Sequence, residues 1–112
     1  MASVENYELN LNIKCYKQMI KLQPGNQKFI NSQAYYLALN HDYNSALKHY
    51  NLSLKIRPHD PFTLAKIAYL YKLKHNYEEF NKYRKSALES AENNKYSDKN
   101  IAYLKNNLLS HL

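Results

Sequence analysis

The chain repeats itself every 34 residues, and that period constrains its fold more than any other feature of the sequence. Pro24 and Pro58 stand 34 residues apart, each closing an apolar helical stretch, in Lys21-Leu22-Gln23-Pro24-Gly25-Asn26 and Lys55-Ile56-Arg57-Pro58-His59-Asp60. A further 34 residues on, Glu89-Ser90-Ala91-Glu92-Asn93-Asn94 keeps the polar turn and loses the proline. Ala34-Tyr35, Ala68-Tyr69 and Ala102-Tyr103 follow the same step, as do Ile20, Leu54 and Leu88, and the pairs His41/His75 and Tyr16/Tyr50. A repeat of this length is one supersecondary unit that cannot bury its own apolar face, so neighbouring copies must cover one another.

Within each period the apolar residues follow a helical spacing. Leu64, Ile67, Ala68 and Tyr71 lie at i, i+3, i+4 and i+7, one stripe at 3.6 residues per turn. Asp60-Pro61 is a helix start, with a side-chain cap followed by a proline whose missing N–H costs nothing there. Asn40-His41-Asp42 and Lys74-His75-Asn76 are tight turns built from residues that tolerate a left-handed backbone. The signals predict helices over about 4–22, 27–39, 43–57, 61–74 and 77–92, with a sixth near 97–111. One glycine and three prolines in 112 residues are too few for a sandwich, a barrel or a glycine-dependent phosphate loop. No strand is expected.

The pattern resembles the tetratricopeptide repeat family, a 34-residue helix–turn–helix with small residues at the helix crossing, an aromatic in each helix and a terminal proline. Residues 61–94 carry it through Leu64, Ile67, Ala68, Tyr71, Tyr77, Ala87 and Leu88, and residues 27–60 through Asp42, Tyr43, Ala46, Tyr50, Leu54 and Pro58. Gln33 stands where an aliphatic residue is usual, Phe80 where Ala46 is small, and Arg84 where Tyr50 is aromatic. The resemblance implies an all-α fold, a right-handed superhelical stack of antiparallel helix pairs with about six helices. It implies a single domain over 1–112, with a half repeat at 1–26, repeats at 27–60 and 61–94, and a C-terminal capping helix at 95–112.

By the same resemblance the first helix of each pair lines a concave groove. Tyr35, Tyr69 and Tyr103 would form a ladder there, beside Asn31, Ser32, Phe62, Ala65, Lys66, Lys72, Tyr96, Lys99 and Asn100. Rings, hydroxyls, ammonium groups and amides suit a peptide or partner helix. Equally, the tyrosines could pack between helices with only their hydroxyls in water. Chaperone-binding members of the family hold a terminal carboxylate between lysines, an arginine and two asparagines. Lys66, Lys99 and Asn100 supply pieces of that chemistry outside the matching pattern.

The expected function is therefore a protein–protein interaction adaptor, scaffold or chaperone-like assembly subunit, with another protein, possibly acidic, as partner. The net charge of +7 favours an acidic partner, although 14 lysines against two arginines partly reflect an AT-rich coding bias. RNA binding through interleaved Tyr and Lys is the alternative, weakened by the scarcity of arginine, the better stacker. Lys14, Lys48 and Lys82 make a second 34-residue row, with Lys17, Lys21, Lys55 and Lys85 nearby, on second helices where a solvated face is expected. Val4, Tyr7, Leu11 and Ile13 give the first half repeat an apolar face that a partner or a second copy could cover, as in a homodimer. His41 and His75 are explained by their turn positions, His49, His59 and His111 have no cysteine or carboxylate at ligand spacing, Cys15 has no sequence partner for nucleophilic catalysis, and Glu78-Glu79 do not face each other on a helix. No enzyme, cofactor or metal is expected. Met1 to Asn6 lacks a signal-peptide pattern, and no apolar run approaches a membrane span, so the cytoplasm is the expected location.

Overall fold

The computed structural model describes residues 4–110, with side chains from Asn6 to Ser110. The outermost ends of the expected segments 1–26 and 95–112, His111 and the side chain of Val4 lie outside the described residues. Among the described residues there are six α-helices, a short π-helical turn and no strand. They fall into two compact units, Met1–Ile56 and Arg57–Leu112.

The first unit holds α1 (Val4–Leu22), α2 (Gln27–Leu39) and α3 (Tyr43–Ile56). Asn26 begins α2 by accepting the Phe29 N–H on its side chain at 3.1 Å, which satisfies one of the donors a helix start leaves open. Its core is Ile30, Ala34 and Leu37 of α2 against Ala46, Leu47 and Tyr50 of α3, all buried. Those positions recur at helical spacing, so each helix turns one stripe inward. The Gln27 amide donates to the Ser53 hydroxyl at 3.0 Å and ties the start of α2 to α3. The helix α1 is held differently. None of its described side chains is fully buried. Instead, Tyr16 stacks on Tyr36 of α2, with ring centres 5.5 Å apart, and lies 6.3 Å from Phe29.

The second unit holds α4 (Pro61–Leu73), α5 (Tyr77–Asn93) and α6 (Asp98–Tyr103). Asp60 caps α4 as expected. It accepts the Phe62 N–H at 3.3 Å and the Thr63 hydroxyl at 2.8 Å, with Pro61 in the first turn. The most deeply sequestered helix is α4, with Leu64, Ala65, Ile67, Ala68 and Leu70 all buried. Against it α5 sets Phe80, Ala87 and Ala91, and the Ser90 hydroxyl donates to the His59 carbonyl. Phe80, in the place where the preceding repeat has Ala46, is a buried ring.

Three helices end alike. His41, His75 and Lys95 take left-handed φ values of 60°, 61° and 56°. After α2, His41 N–H bonds the Ala38 carbonyl at 2.9 Å and Asp42 N–H the Leu37 carbonyl at 2.9 Å. The same pair of bonds recurs after α4, from His75 to Lys72 and from Asn76 to Tyr71, and after α5, from Lys95 to Glu92 and from Tyr96 to Ala91. This is the double closure that satisfies the last carbonyls of a helix, usually on a glycine. The sequence has its one glycine elsewhere, at Gly25.

The sixth helix departs from expectation. Instead of running regularly to 111, α6 gives way after Tyr103 to a π-helical turn over Leu104–Leu108. Leu109 N–H bonds the Leu104 carbonyl at 2.8 Å, five residues back. Leu104 and Leu109 are both fully buried, and a wider turn is what lets residues five apart share one face.

Candidate functional site

On α4, Phe62, Lys66 and Tyr69 follow one another at i, i+4 and i+7, one helical row beside the buried stripe. Phe62 and Lys66 are half-buried, and Tyr69 is 36% exposed. Across from them α6 presents Tyr103, 51% exposed, and the α5–α6 turn presents Tyr96. The three rings meet around Phe62, whose centre lies 5.6 Å from that of Tyr96 and 6.2 Å from that of Tyr103, both tilted. Lys99 and Asn100 stand exposed on the first turn of α6, which Ser97 caps by accepting the Asn100 N–H at 3.2 Å.

The electrostatics of this face centre on Asp60. Burial pushes the Lys66 ammonium below the usual lysine range, and the Asp60 carboxylate opposes that shift. Tyr96 moves the other way: burial raises its hydroxyl, Asp60 raises it further, and Arg57 pulls it back. The sequence reading makes Asp60 a helix cap alone. Lys66 feels its charge from six residues on in the helix that Asp60 caps, whereas the effect on Tyr96 comes from chain that returns to Asp60 and had no local signal.

The remaining candidates lie in three settings. In the first unit, Tyr35 is 52% exposed, its ring edge-on to Tyr36 at 5.4 Å, and Asn31 is half-buried one turn earlier. Tyr35 also lies close enough to the buried Tyr50 to add to the upward shift that burial imposes on the Tyr50 hydroxyl. Lys72 is turned inward to the end of the chain: its ammonium donates to the Ser110 carbonyl at 2.7 Å and sits 5.9 Å from the Phe80 ring centre. Arg84 does the same from α5, its Nε donating to the Leu109 carbonyl at 2.9 Å. A guanidinium thus stands where Tyr50 puts a ring, because the last helical segment needs a donor for its terminal carbonyls. Ala65, expected beside the groove, is fully buried, because α4 is covered on more than one side.

Outside this face, His41 and His75 each share a hydrogen bond with the tyrosine two residues on, at 3.1 Å to Tyr43 and 3.2 Å to Tyr77. Among the described residues no three His, Cys, Asp or Glu side chains stand close enough to hold a metal ion. No helix among them is long and apolar enough to cross a membrane. No protein-family model matches the chain, and no curated protein is significantly similar to it.

Proposed function

We propose that the protein is a tetratricopeptide-like interaction adaptor that binds an acidic peptide or partner helix on the face formed by α4 and α6. The observation that carries this reading is the ring cluster of Phe62, Tyr96 and Tyr103. It is open to solvent at Tyr103, continued along α4 by Tyr69, and flanked by Lys66 and Lys99. Rigid rings with polar tips give large contact area at small entropic cost. The lysines would meet carboxylates, consistent with the net charge of +7. Tyr35 and Asn31 give the first unit a tyrosine-bearing face of the same kind. A cytoplasmic scaffold in a right-handed helical array is the setting this reading implies.

The test is a panning of displayed acidic peptides on the wild-type protein, followed by fluorescence titration of the winners on Tyr69→Ala and Tyr103→Ala variants. Both residues are exposed enough to be removed without opening a core. Winners should bind each variant at least tenfold more weakly. Winners indifferent to both changes would remove the face from the argument. Failure to select peptides, with RNA oligonucleotides binding instead in a steeply salt-dependent way, would replace the adaptor reading by the RNA one.

A further inference from the structure

Two cations from different helices converge on one short stretch beyond α6. The Lys72 ammonium, on α4, donates to the Ser110 carbonyl at 2.7 Å, and the Arg84 guanidinium, on α5, donates through Nε to the Leu109 carbonyl at 2.9 Å. Both side chains are half-buried. Hydrogen bonds from ionised donors are about twice as strong as neutral ones, so two neighbouring residues are gripped from two sides. One period earlier the same positions hold Ala38 and a buried Tyr50. The long charged donors thus stand in the repeat onto which the chain folds back.

The gripped stretch is continuous with half of the proposed peptide face. Lys99, Asn100 and Tyr103 lie on α6, a helix that buries none of its own side chains. Its hold on the unit comes at its end and beyond. Tyr103 leans on Phe62 at the start of α4, with ring centres 6.2 Å apart. Leu104 and Leu109 are fully buried, and Ser110 reaches Lys72, ten residues and about 15 Å further along α4 than Phe62. The chain from Tyr103 to Ser110 therefore runs alongside α4 between two fixed points, and the far one is made by the two cations.

We infer that Lys72 and Arg84 are positioning residues for the peptide face: by pinning Leu109 and Ser110 they hold α6 against α4, and with it Lys99, Asn100 and Tyr103. This inference rests on the reading of that face as a peptide site. Because both cations are engaged by the chain's own carbonyls, they act through α6 and not on the peptide. A peptide that bridges Tyr69 of α4 and Tyr103 of α6 binds the pinned arrangement alone. It must then tighten the pinning by the same factor by which the pinning favours it.

Two NMR measurements on the full chain test this. The first needs no ligand. In a Lys72→Met, Arg84→Met chain, backbone order parameters over residues 98–110 should fall from about 0.85 to below about 0.6 while those of α4 and α5 keep their values. Loss of overall stability alone would leave the folded molecule's order parameters where they were, and unchanged values over 98–110 would overturn the inference. The second uses the wild type, so it does not depend on how the variant folds. An acidic peptide selected by panning, whose binding is lost on Tyr69→Ala, should slow hydrogen exchange of the Leu104 and Leu109 amides at least about fivefold at saturation. A peptide that binds in this way and leaves both exchange rates unchanged would refute the coupling and spare the peptide face. If no acidic peptide binds, the peptide reading fails by itself, and the order parameters still decide whether the two cations place α6.

Discussion

Replacing Lys95 by glycine should make the protein more stable by about 0.5–1 kcal/mol. Lys95 closes α5 with φ at 56°, a conformation that costs an L-residue with a β-carbon about 1–2 kcal/mol. Glycine removes that cost, and its greater freedom in the unfolded chain returns about 0.5–1 kcal/mol of the gain. The closure itself is made by backbone groups, Lys95 N–H to Glu92 at 3.1 Å and Tyr96 N–H to Ala91 at 2.9 Å, so the substitution leaves both bonds in place. His41 and His75 have the same backbone but a different balance. Each shares an exposed hydrogen bond with the following tyrosine, and losing about 0.5–1 kcal/mol there cancels most of the relief. The expected order of urea midpoints, followed by circular dichroism at 222 nm, is Lys95→Gly above wild type, with His41→Gly and His75→Gly close to it. Lys95→Val should fall below wild type, because a β-branched side chain is worst placed at positive φ. If Lys95→Val matched Lys95→Gly, backbone strain would not be the operative term, and the reasoning would fail.

Gln33 is 4% exposed and its amide oxygen accepts no hydrogen bond; Gln33→Met should raise the unfolding free energy by about 1–2 kcal/mol, and a lower urea midpoint would show that the amide contributes after all. Burial holds the folded Tyr50 hydroxyl above its ordinary pKa of 10.0. The stability this brings is complete below that pH and is lost as the pH climbs past it. Tyr50→Phe should therefore lose less stability than wild type between pH 9 and 11.5, and parallel slopes of the two would contradict the assignment. Lys66 has the opposite sign: its folded pKa lies below the ordinary 10.5, so keeping it charged in its half-buried place costs stability at neutral pH, and the cost fades as pH rises toward that value. Lys66→Met should be the more stable protein at pH 7, with an advantage that vanishes near pH 11, yet the weaker binder of acidic peptides in fluorescence titration. A variant that lost stability at pH 7 would mean that the ammonium earns its place structurally.

What could be read in the sequence is what a few neighbouring residues decide among themselves. Asp60-Pro61 starts a helix through bonds reaching two or three residues, and His41 and His75 end helices through bonds reaching no further than five. These boundaries are where the residues predict them. The unusual status of Gln33 was visible too, because its counterpart one period later is Ile67, which is fully buried. What could not be read depends on long side chains meeting distant backbone. Lys72 sits on α4 at a position that looks solvent-facing, and only the return of the chain 38 residues later gives its ammonium a carbonyl. Arg84 finds its carbonyl 25 residues on. The π-helical turn escaped for the same reason, since nothing local marks Leu104 and Leu109 as a buried pair until the turn packs on α4. At the candidate face, the period located Tyr69 and Tyr103. The convergence of Tyr96 and Tyr103 on Phe62, and the effect of Asp60 on Tyr96, needed the turn between α5 and α6 to be in place.

The widened turn at Leu104–Leu108 also bears on how the length of this chain can change. Such a turn is equivalent to an α-helix that has absorbed one inserted residue without moving the side chains on either side of it. Losing a single codon there, that of the exposed Asn106 for instance, would bring the two buried leucines to a separation of four, which an ordinary helix also places on one face. Insertion and deletion thus arrive at the same buried surface by different windings. At this point in the sequence the register is elastic by one residue, and related chains differing by that much could keep both leucines in the same core.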